Sequence, residues 1–326
     1  MSIQPLVSVI IPTYNRADVI CKTIDDVFSQ TYKNIELIVV DDGSTDDTQA
    51  VLHAYGSLIK VFIQANAGPA AARNRGIEVS QGDIIAFQDS DDFWVPTKLE
   101  RQVRLLERVG DSVPCCLCNM HLKNLHGDGK DYYSFDVSLI RPPNDEGLWL
   151  NVAEVLATRF VMFNQAAAIR RKPLERIGGF NTSLKYLEDY DLSMKLAVEG
   201  PWAYIKESLS IWAGGEPNSL TKKAADDAIV LNDCMLRILA RALASAQERG
   251  DAKVERHVRR SIAFCGRALR GILTGQSSLR SERIVEQLRG QLDRYHKAIL
   301  RRSPWFPQMK AITFEEFTAN SHLIGP

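Results

Sequence analysis

The sequence has no long hydrophobic run. Its longest apolar stretches, Val7–Pro12 and Ile35–Val40, are strand-sized, which excludes a membrane-spanning helix. Net charge is also missing: 40 Lys and Arg balance 40 Asp and Glu, so the whole chain carries no electrostatic signature of a nucleic-acid binder. Residues Met1–Leu6 lack the basic region and apolar core of an export signal. Cysteine is sparse, with 6 in 326 residues, and without an export signal it points to free thiols in a reducing, cytoplasmic setting. What remains is ordinary for a globular protein, 45% hydrophobic and 25% charged, and long enough for one large or two modest domains.

Along the first hundred residues strands and helices alternate. Leu6–Ile11, Ile35–Val40, Leu58–Ile63 and the run ending at Phe87 read as buried strands, near-continuous and rich in branched residues. Between them, Asp18–Gln30 has helical spacing with Val19, Ile20, Ile24, Val27 and Phe28 inward. Thr45 or Asp46 is placed to cap a helix through Tyr55, and Pro69 to open another over Ala70–Val79. This alternation predicts an α/β fold, a doubly wound and mostly parallel sheet whose post-strand loops gather along one edge, where ligands bind.

Three polar clusters fall on that edge: Pro12–Arg16, Asp41–Ser44 and Asp89–Asp92. In the last, three carboxylates crowd into four residues at a strand end. They repel one another unless a cation sits among them, and a hard divalent ion that also bridges phosphates is one remedy. A solvated acidic turn is the plain alternative. Tyr14 can stack on a flat base, Asp42 can accept from a base N–H or a ribose hydroxyl, and Arg73, early in the helix after Pro69, can reach a phosphate.

Four blocks carry a resemblance: Val7–Arg16, Val39–Asp46, Gly68–Gly76 and Asp89–Asp92. Together they resemble family 2 glycosyltransferases of the GT-A fold, over about the first 215 residues. The resemblance implies a nucleotide-sugar donor (a UDP-sugar), a divalent metal (Mn or Mg) and an inverting mechanism. It puts Pro12, Tyr14, Asp42 and Arg73 around the nucleoside. Asp89 and Asp91 fall in the metal–diphosphate motif, with Asp91 as the direct ligand. Further on, Gly178-Gly179-Phe180 before Glu188-Asp189-Tyr190-Asp191 resembles the acceptor-side block, in which Asp189 matches the general base, ahead of Asp191 and Glu188. Read from the residues alone, that block is a helix with acids in its first turn, where the dipole favours them. Leu209–Leu220 resembles a late loop that often carries His near the metal. Here Glu216 stands in its place, either as an oxygen ligand or facing solvent.

Pro96–Arg108 reads as a helix with Leu99, Val103, Leu105 and Leu106 inward. Val113–Leu122 reads as a buried strand that uses Cys115, Cys116 and Cys118 as small hydrophobes, since no ligand set completes a zinc site. Gly127–Asn144 is expected to be a loop or hairpin. Phe160–Ile169 is expected to be a strand, with Asn164 and Gln165 as polar interruptions facing the acceptor. From residue 221 three helical patterns follow, Ala224–Arg249, Lys253–Thr274 and Ser281–Arg302, the last two strongly basic. The division expected is a catalytic unit over 1–220, a helical module over 221–303 and an unassigned tail over 304–326. The basic helices are a solvated face packed on the catalytic unit or a peripheral contact with anionic lipid at the inner face of the membrane. Few aromatics interleave the arginines, which argues against nucleic acid. The expected activity is glycosyl transfer to a glycan or lipid-linked acceptor in cell-surface polysaccharide synthesis. The rival is a non-catalytic nucleotide-sugar-binding or scaffold protein on the same fold.

Overall fold

The computed structural model of the chain describes residues 4–124, 129–161, 163–213, 227–273, 308–313 and 316. Strands β1 (Val7–Thr13), β2 (Ile35–Asp41), β3 (Lys60–Ile63) and β4 (Ile84–Phe87) lie parallel in the order β3-β2-β1-β4. All residues of β1 and β4 are buried, as expected of strands covered on both faces.

Three helices make the crossovers: α1 (Ile20–Phe28), α2 (Thr48–His53) and α3 (Pro69–Val79). α1 buries Ile20, Thr23, Ile24 and Val27, but Phe28, expected inward, is 42% exposed. It is the last helical residue and lies against the Tyr55 ring instead, centroids 6.4 Å apart. The N-cap position of α2 is Asp47, without a side-chain cap bond, and the preceding Asp46 accepts from the Thr48 amide at 3.0 Å. α3 opens with Gly68 at φ +88° and Pro69 in the first turn. It lies close on β1: a Cβ at Gly76 would stand 2.3 Å from Ile10 Cγ2.

The second half supplies β5 (Phe93–Trp94), α4 (Lys98–Val109), β6 (Cys115–Leu122), β7 (Tyr132–Tyr133), α5 (Ser134–Val137), β8 (Glu146–Trp149), α6 (Val152–Leu156), β9 (Ala167–Arg170), α7 (Arg171–Arg176), α8 (Glu188–Leu196) and β10 (Trp202–Trp212). β9 sits between β4 and β6, antiparallel to both, so β6 and its parallel neighbour β10 point the same way as β1–β4. β8 pairs antiparallel with β10, and β7 with β6. The sheet is therefore mixed but mostly of one direction.

The long strand expected from Phe160 starts only at Ala167, after a 3₁₀ turn at Asn164–Ala166. That turn carries the Gln165 side chain into the acidic cluster described below, which a continuing strand would not do. α4 buries the four apolar residues expected of it, together with Lys98 and Gln102. The Gln102 amide donates to the carbonyls of Cys116 and Ala166 at 2.9 and 2.8 Å, and its oxygen accepts from Lys98 Nζ at 2.9 Å. Cys115, Cys116 and Cys118 are buried in β6, all six cysteines are free, and burial pushes these three thiols up.

At the C-terminal side, α9 (Ala228–Glu248) sends Cys234 and Ile238 into the main core. α10 (Ala252–Leu273) packs Val254 and Val258 with Leu239, Ala246 and Ala157 in a smaller cluster. The third helical pattern, Ser281–Arg302, lies outside the described residues, as does Glu216. A short strand, β11 (Ala311–Ile312), pairs antiparallel with β8. Asn151 fastens it, donating to Gln308 O and accepting from Lys310 N, both at 2.7 Å.

Candidate active site

The strand ends of β1, β2 and β4 share one edge of the sheet. There the β1–α1 and β2–α2 loops are laced together. Asn15, at φ +51°, accepts from Thr45 N at 2.8 Å and donates its own N–H to Ser44 Oγ at 2.9 Å. Asp41 holds the second loop, accepting from Ser44 N at 3.1 Å and Gln49 Nε2 at 2.8 Å. Pro12 is buried in β1 opposite Val40, whereas the Tyr14 ring is 44% exposed at the edge. Asp42 is buried and already engaged. Its Oδ1 accepts from Gln64 Nε2 at 2.7 Å and Ala67 N at 3.0 Å, and its Oδ2 from Gly68 N at 2.8 Å. It thus fixes the turn that starts α3. No hydrogen bond joins Pro12, Tyr14 or Asp42 to the acidic cluster among the described residues.

Arg73, delivered by α3 and 4% exposed, is the centre of that cluster. Nη2 meets Asp89 Oδ1 at 2.6 Å and Nη1 meets Glu188 Oε1 at 2.9 Å, while the guanidinium lies 5.4 Å from the centroid of Phe180. One side chain therefore ties the end of β4 to the start of α8. The two carboxylates hold the guanidinium charged despite burial, pushing its pKa up.

The remaining acids differ in what engages them. The other oxygen of Asp89 accepts from Gln165 Nε2 at 2.6 Å, and the same amide donates to Asp92 Oδ2 at 2.5 Å. Asp92 is buried and also accepts from Ala213 N at 3.0 Å. Burial, with Asp89 and Asp91 beside it, pushes its carboxyl well up. Asp91 is the open one, a third exposed, with only Arg16 Nη2 at 3.4 Å. Its carboxyl is raised by burial and by Asp89, an effect that Arg16 opposes.

On α8 the three acids separate cleanly. Glu188 is held by Arg73. Asp191 is 1% exposed and salt-bridged to Arg241 of α9 at 2.5 Å and to Lys195 at 3.4 Å. Asp189 accepts only from the Tyr190 amide, at 2.8 Å, and no side chain engages it among the described residues. Burial and the neighbouring Glu188 push its carboxyl up to about 7, against the pull of the Tyr190 amide and Arg73.

Gln165, a polar interruption of an apolar segment, was expected to face the acceptor, and its hold on Asp89 and Asp92 was not foreseen. Arg16 stood inside a matched block without a role. Among the described residues no group of three or more His, Cys, Asp or Glu side chains is arranged around a metal position. A hard divalent ion nevertheless suits the donor chemistry: all-oxygen ligands, one outward carboxylate in Asp91, and two more held behind it by neutral or cationic donors.

Residues 8–178 match the family described as Glycosyl transferase family 2. The chain belongs to this family. An uncharacterized family relative, a glycosyltransferase of Rickettsia typhi (strain ATCC VR-144 / Wilmington), is 35% identical over 192 residues, 59% of this chain and 58% of its own length. The chain therefore matches under two thirds of that relative. The UDP-Glc:alpha-D-GlcNAc-diphosphoundecaprenol beta-1,3-glucosyltransferase WfaP of Escherichia coli is 33% identical over 199 residues, 60% of this chain and 71% of its own. Among solved structures, S. aureus TarS 1–349 in complex with UDP-GlcNAc superposes with a TM-score of 0.62 at 20% identity, over 79% of this chain and 73% of that one. At that identity the likeness speaks for the fold, a GT-A-type transferase sheet.

Proposed function

We propose that this family 2 chain transfers a sugar from a UDP-sugar to an acceptor hydroxyl with inversion, using Asp189 as general base. The observation that carries this reading is the Arg73 bridge. It brings the strand-end carboxylates against α8 and leaves Asp189 as the one acid of that helix without a side-chain partner. A base must be free to take a proton, and an ordinary aspartate is too weak a base near neutral pH. The upward shift to about 7 corrects this.

In the step proposed, the acceptor hydroxyl oxygen bonds to the anomeric carbon from the face opposite the diphosphate. The anomeric carbon–oxygen bond to phosphate breaks with its electron pair going to the diphosphate, and the hydroxyl proton passes to Asp189. Asp91, backed by Asp89, would hold a Mn²⁺ or Mg²⁺ ion. When bound, that ion supplies positive charge to the diphosphate. Arg73 and Gln165 hold Asp89 and Asp92 in place, and Pro12, Tyr14 and Asp42 flank the nucleoside.

The acceptor in the name of the Escherichia coli relative, a GlcNAc-diphosphoundecaprenol, supports a lipid-linked or glycan acceptor in cell-surface polysaccharide synthesis. We place the catalytic unit within residues 1–220, the helical module within 221–303, and the protein in the cytoplasm with peripheral contact to anionic lipid through the basic helices. No described helix is long and apolar enough to cross a membrane.

The test is release of UDP from UDP-glucose and UDP-GlcNAc in the presence of GlcNAc-diphosphate-lipid, with Mn²⁺ or with EDTA. Metal-dependent UDP release coupled to a new glycosidic product supports the reading. Nucleotide-sugar binding without product under all donor and acceptor pairs turns it to the scaffold alternative.

A further inference from the structure

Among the described residues two arginines are buried, Arg73 and Arg159, and Arg170 is partly buried; their partners differ. Arg73 meets two carboxylates. Arg170 donates to the carbonyls of Val113, Leu106 and Gly110 and pairs with Asp111. Arg159 is 3% exposed yet makes a single hydrogen bond, from Nη1 to Leu139 O at 3.0 Å. Its Nε and Nη2 are buried without any partner, and no carboxylate pairs with it among the described residues. A guanidinium cannot shed its charge as a buried Lys can, so the cost of an uncompensated cation persists. Burial, with the guanidinium of Arg141 acting on it, pulls Arg159 down to about 10, and Arg141 is itself paired with Asp136 at 3.1 Å.

The two free nitrogens are not a random pair. Nε–H and Nη2–H point the same way along one edge of the planar guanidinium, the fork that takes two oxygens of a phosphate or carboxylate at once. The position is also informative. Just before Arg159, Leu156 O accepts from the hydroxyl of Tyr190, the residue after Asp189, and just after it Phe160 packs on the Tyr190 ring at 5.8 Å. Six residues on, Gln165 grips Asp89 and Asp92. Six residues span at most about 20 Å, so Arg159 lies on a segment tied on one side to Tyr190 of α8 and on the other to Asp89 and Asp92. The donor diphosphate is assigned to the acidic cluster, which leaves this fork for a different anion.

We infer that Arg159, with Arg141 near it, forms an anion subsite that takes a phosphate or diphosphate group of the acceptor. The inference rests on the glycosyltransferase reading for the word acceptor, but not for the binding itself. No described carboxylate pairs directly with Arg159, the nearby Asp136 being engaged by Arg141, so occupancy by an oxyanion would neutralise a buried cation and make two charge-assisted hydrogen bonds.

The probe is inorganic pyrophosphate added to the full chain in EDTA, where the metal-free carboxylates of the donor site repel anions. Thermal unfolding and calorimetry are the readouts, on wild type, Arg159→Met, Arg159→Lys and Arg141→Gln. Wild type should gain a few degrees at pyrophosphate concentrations well above Kd, by mass action. Arg159→Met should lose that gain without a lower Tm in the free state, since the unpaired charge is gone. Arg159→Lys should bind more weakly, lacking the fork, and the exposed Arg141→Gln should weaken binding several-fold without affecting folding. UDP in EDTA should not compete, whereas a short-chain lipid diphosphate should. The inference is overturned if wild type shows no shift, if Arg159→Met binds pyrophosphate as wild type does, or if UDP displaces it. Because no turnover is measured, an inactive chain that binds pyrophosphate through Arg159 would refute the enzymatic reading while leaving the subsite standing.

Discussion

Replacing Asp189 by Asn should make the protein slower and more stable at once. The carboxyl sits at about 7 in the folded chain, against about 3.9 for an unstrained aspartate. A folded value above the unfolded one means the folded state holds the proton more tightly. The contribution of this group is then most favourable below about pH 4 and is lost as pH rises through about 7. At about 1.4 kcal/mol for each tenfold in affinity, the ionised carboxylate costs at most about 4 kcal/mol above pH 7. Sharing of charge with Glu188 reduces the figure. Asn keeps the shape and removes the cost, so Asp189→Asn should raise Tm by several degrees at pH 8, with the gain shrinking toward pH 4. Turnover should fall by roughly 10²–10⁴ because the amide cannot take a proton, with UDP-sugar affinity unchanged. Wild-type kcat/KM should rise with pH to a plateau above about 7. Calorimetry at pH 5 and pH 8, with steady-state kinetics on the same preparations, reads both effects. A variant that is less stable at pH 8, or that keeps its turnover number while losing donor affinity, refutes the assignment.

Asp91→Ala should abolish metal-dependent UDP binding without unfolding the chain, since the residue is a third exposed; tight UDP binding that EDTA leaves equal to wild type would sink its metal role. Arg73→Met leaves Asp89 and Glu188 without their shared cation, and breaking such a buried pair should cost about 3–5 kcal/mol, read as a lower urea midpoint. The exposed arginines of α10 should give salt-sensitive binding to anionic vesicles, each charge contributing about 1 kcal/mol. Co-sedimentation of wild type against Arg259, Arg260 and Arg267 changed to Ser checks this, and binding that ignores either salt or those changes would return the helix to a structural role.

Local chemistry made much of this architecture readable. Branched runs without alternation gave β1, β2 and β4, Pro69 after Gly68 opened α3, and acids marked the start of α8. What stayed hidden depends on partners far away in sequence. Nothing near Gln165 announces that its amide spans Asp89 and Asp92, 76 and 73 residues earlier. Periodicity carried the strand back to Phe160 because it cannot see that the turn at Asn164–Ala166 is needed to aim that amide. The three acids of α8 look alike in sequence. Only Arg73 and Arg241, supplied by α3 and α9, distinguish the one left without a side-chain partner.

The two-residue strand β11 has a consequence for how the chain is made. Its partner β8 lies more than 150 residues earlier, and Asn151 waits for the backbone of Gln308 and Lys310 to complete its hydrogen bonds. During synthesis the parallel half of the sheet can condense as soon as β4 has emerged, but the far border stays open until residue 313 is clear of the ribosome. Through that interval β8 presents an unpaired edge, the kind of surface that recruits strands from other nascent chains. Yield of folded protein should therefore depend on how quickly residues 308–313 are delivered, even though they stand far along the chain from the candidate site.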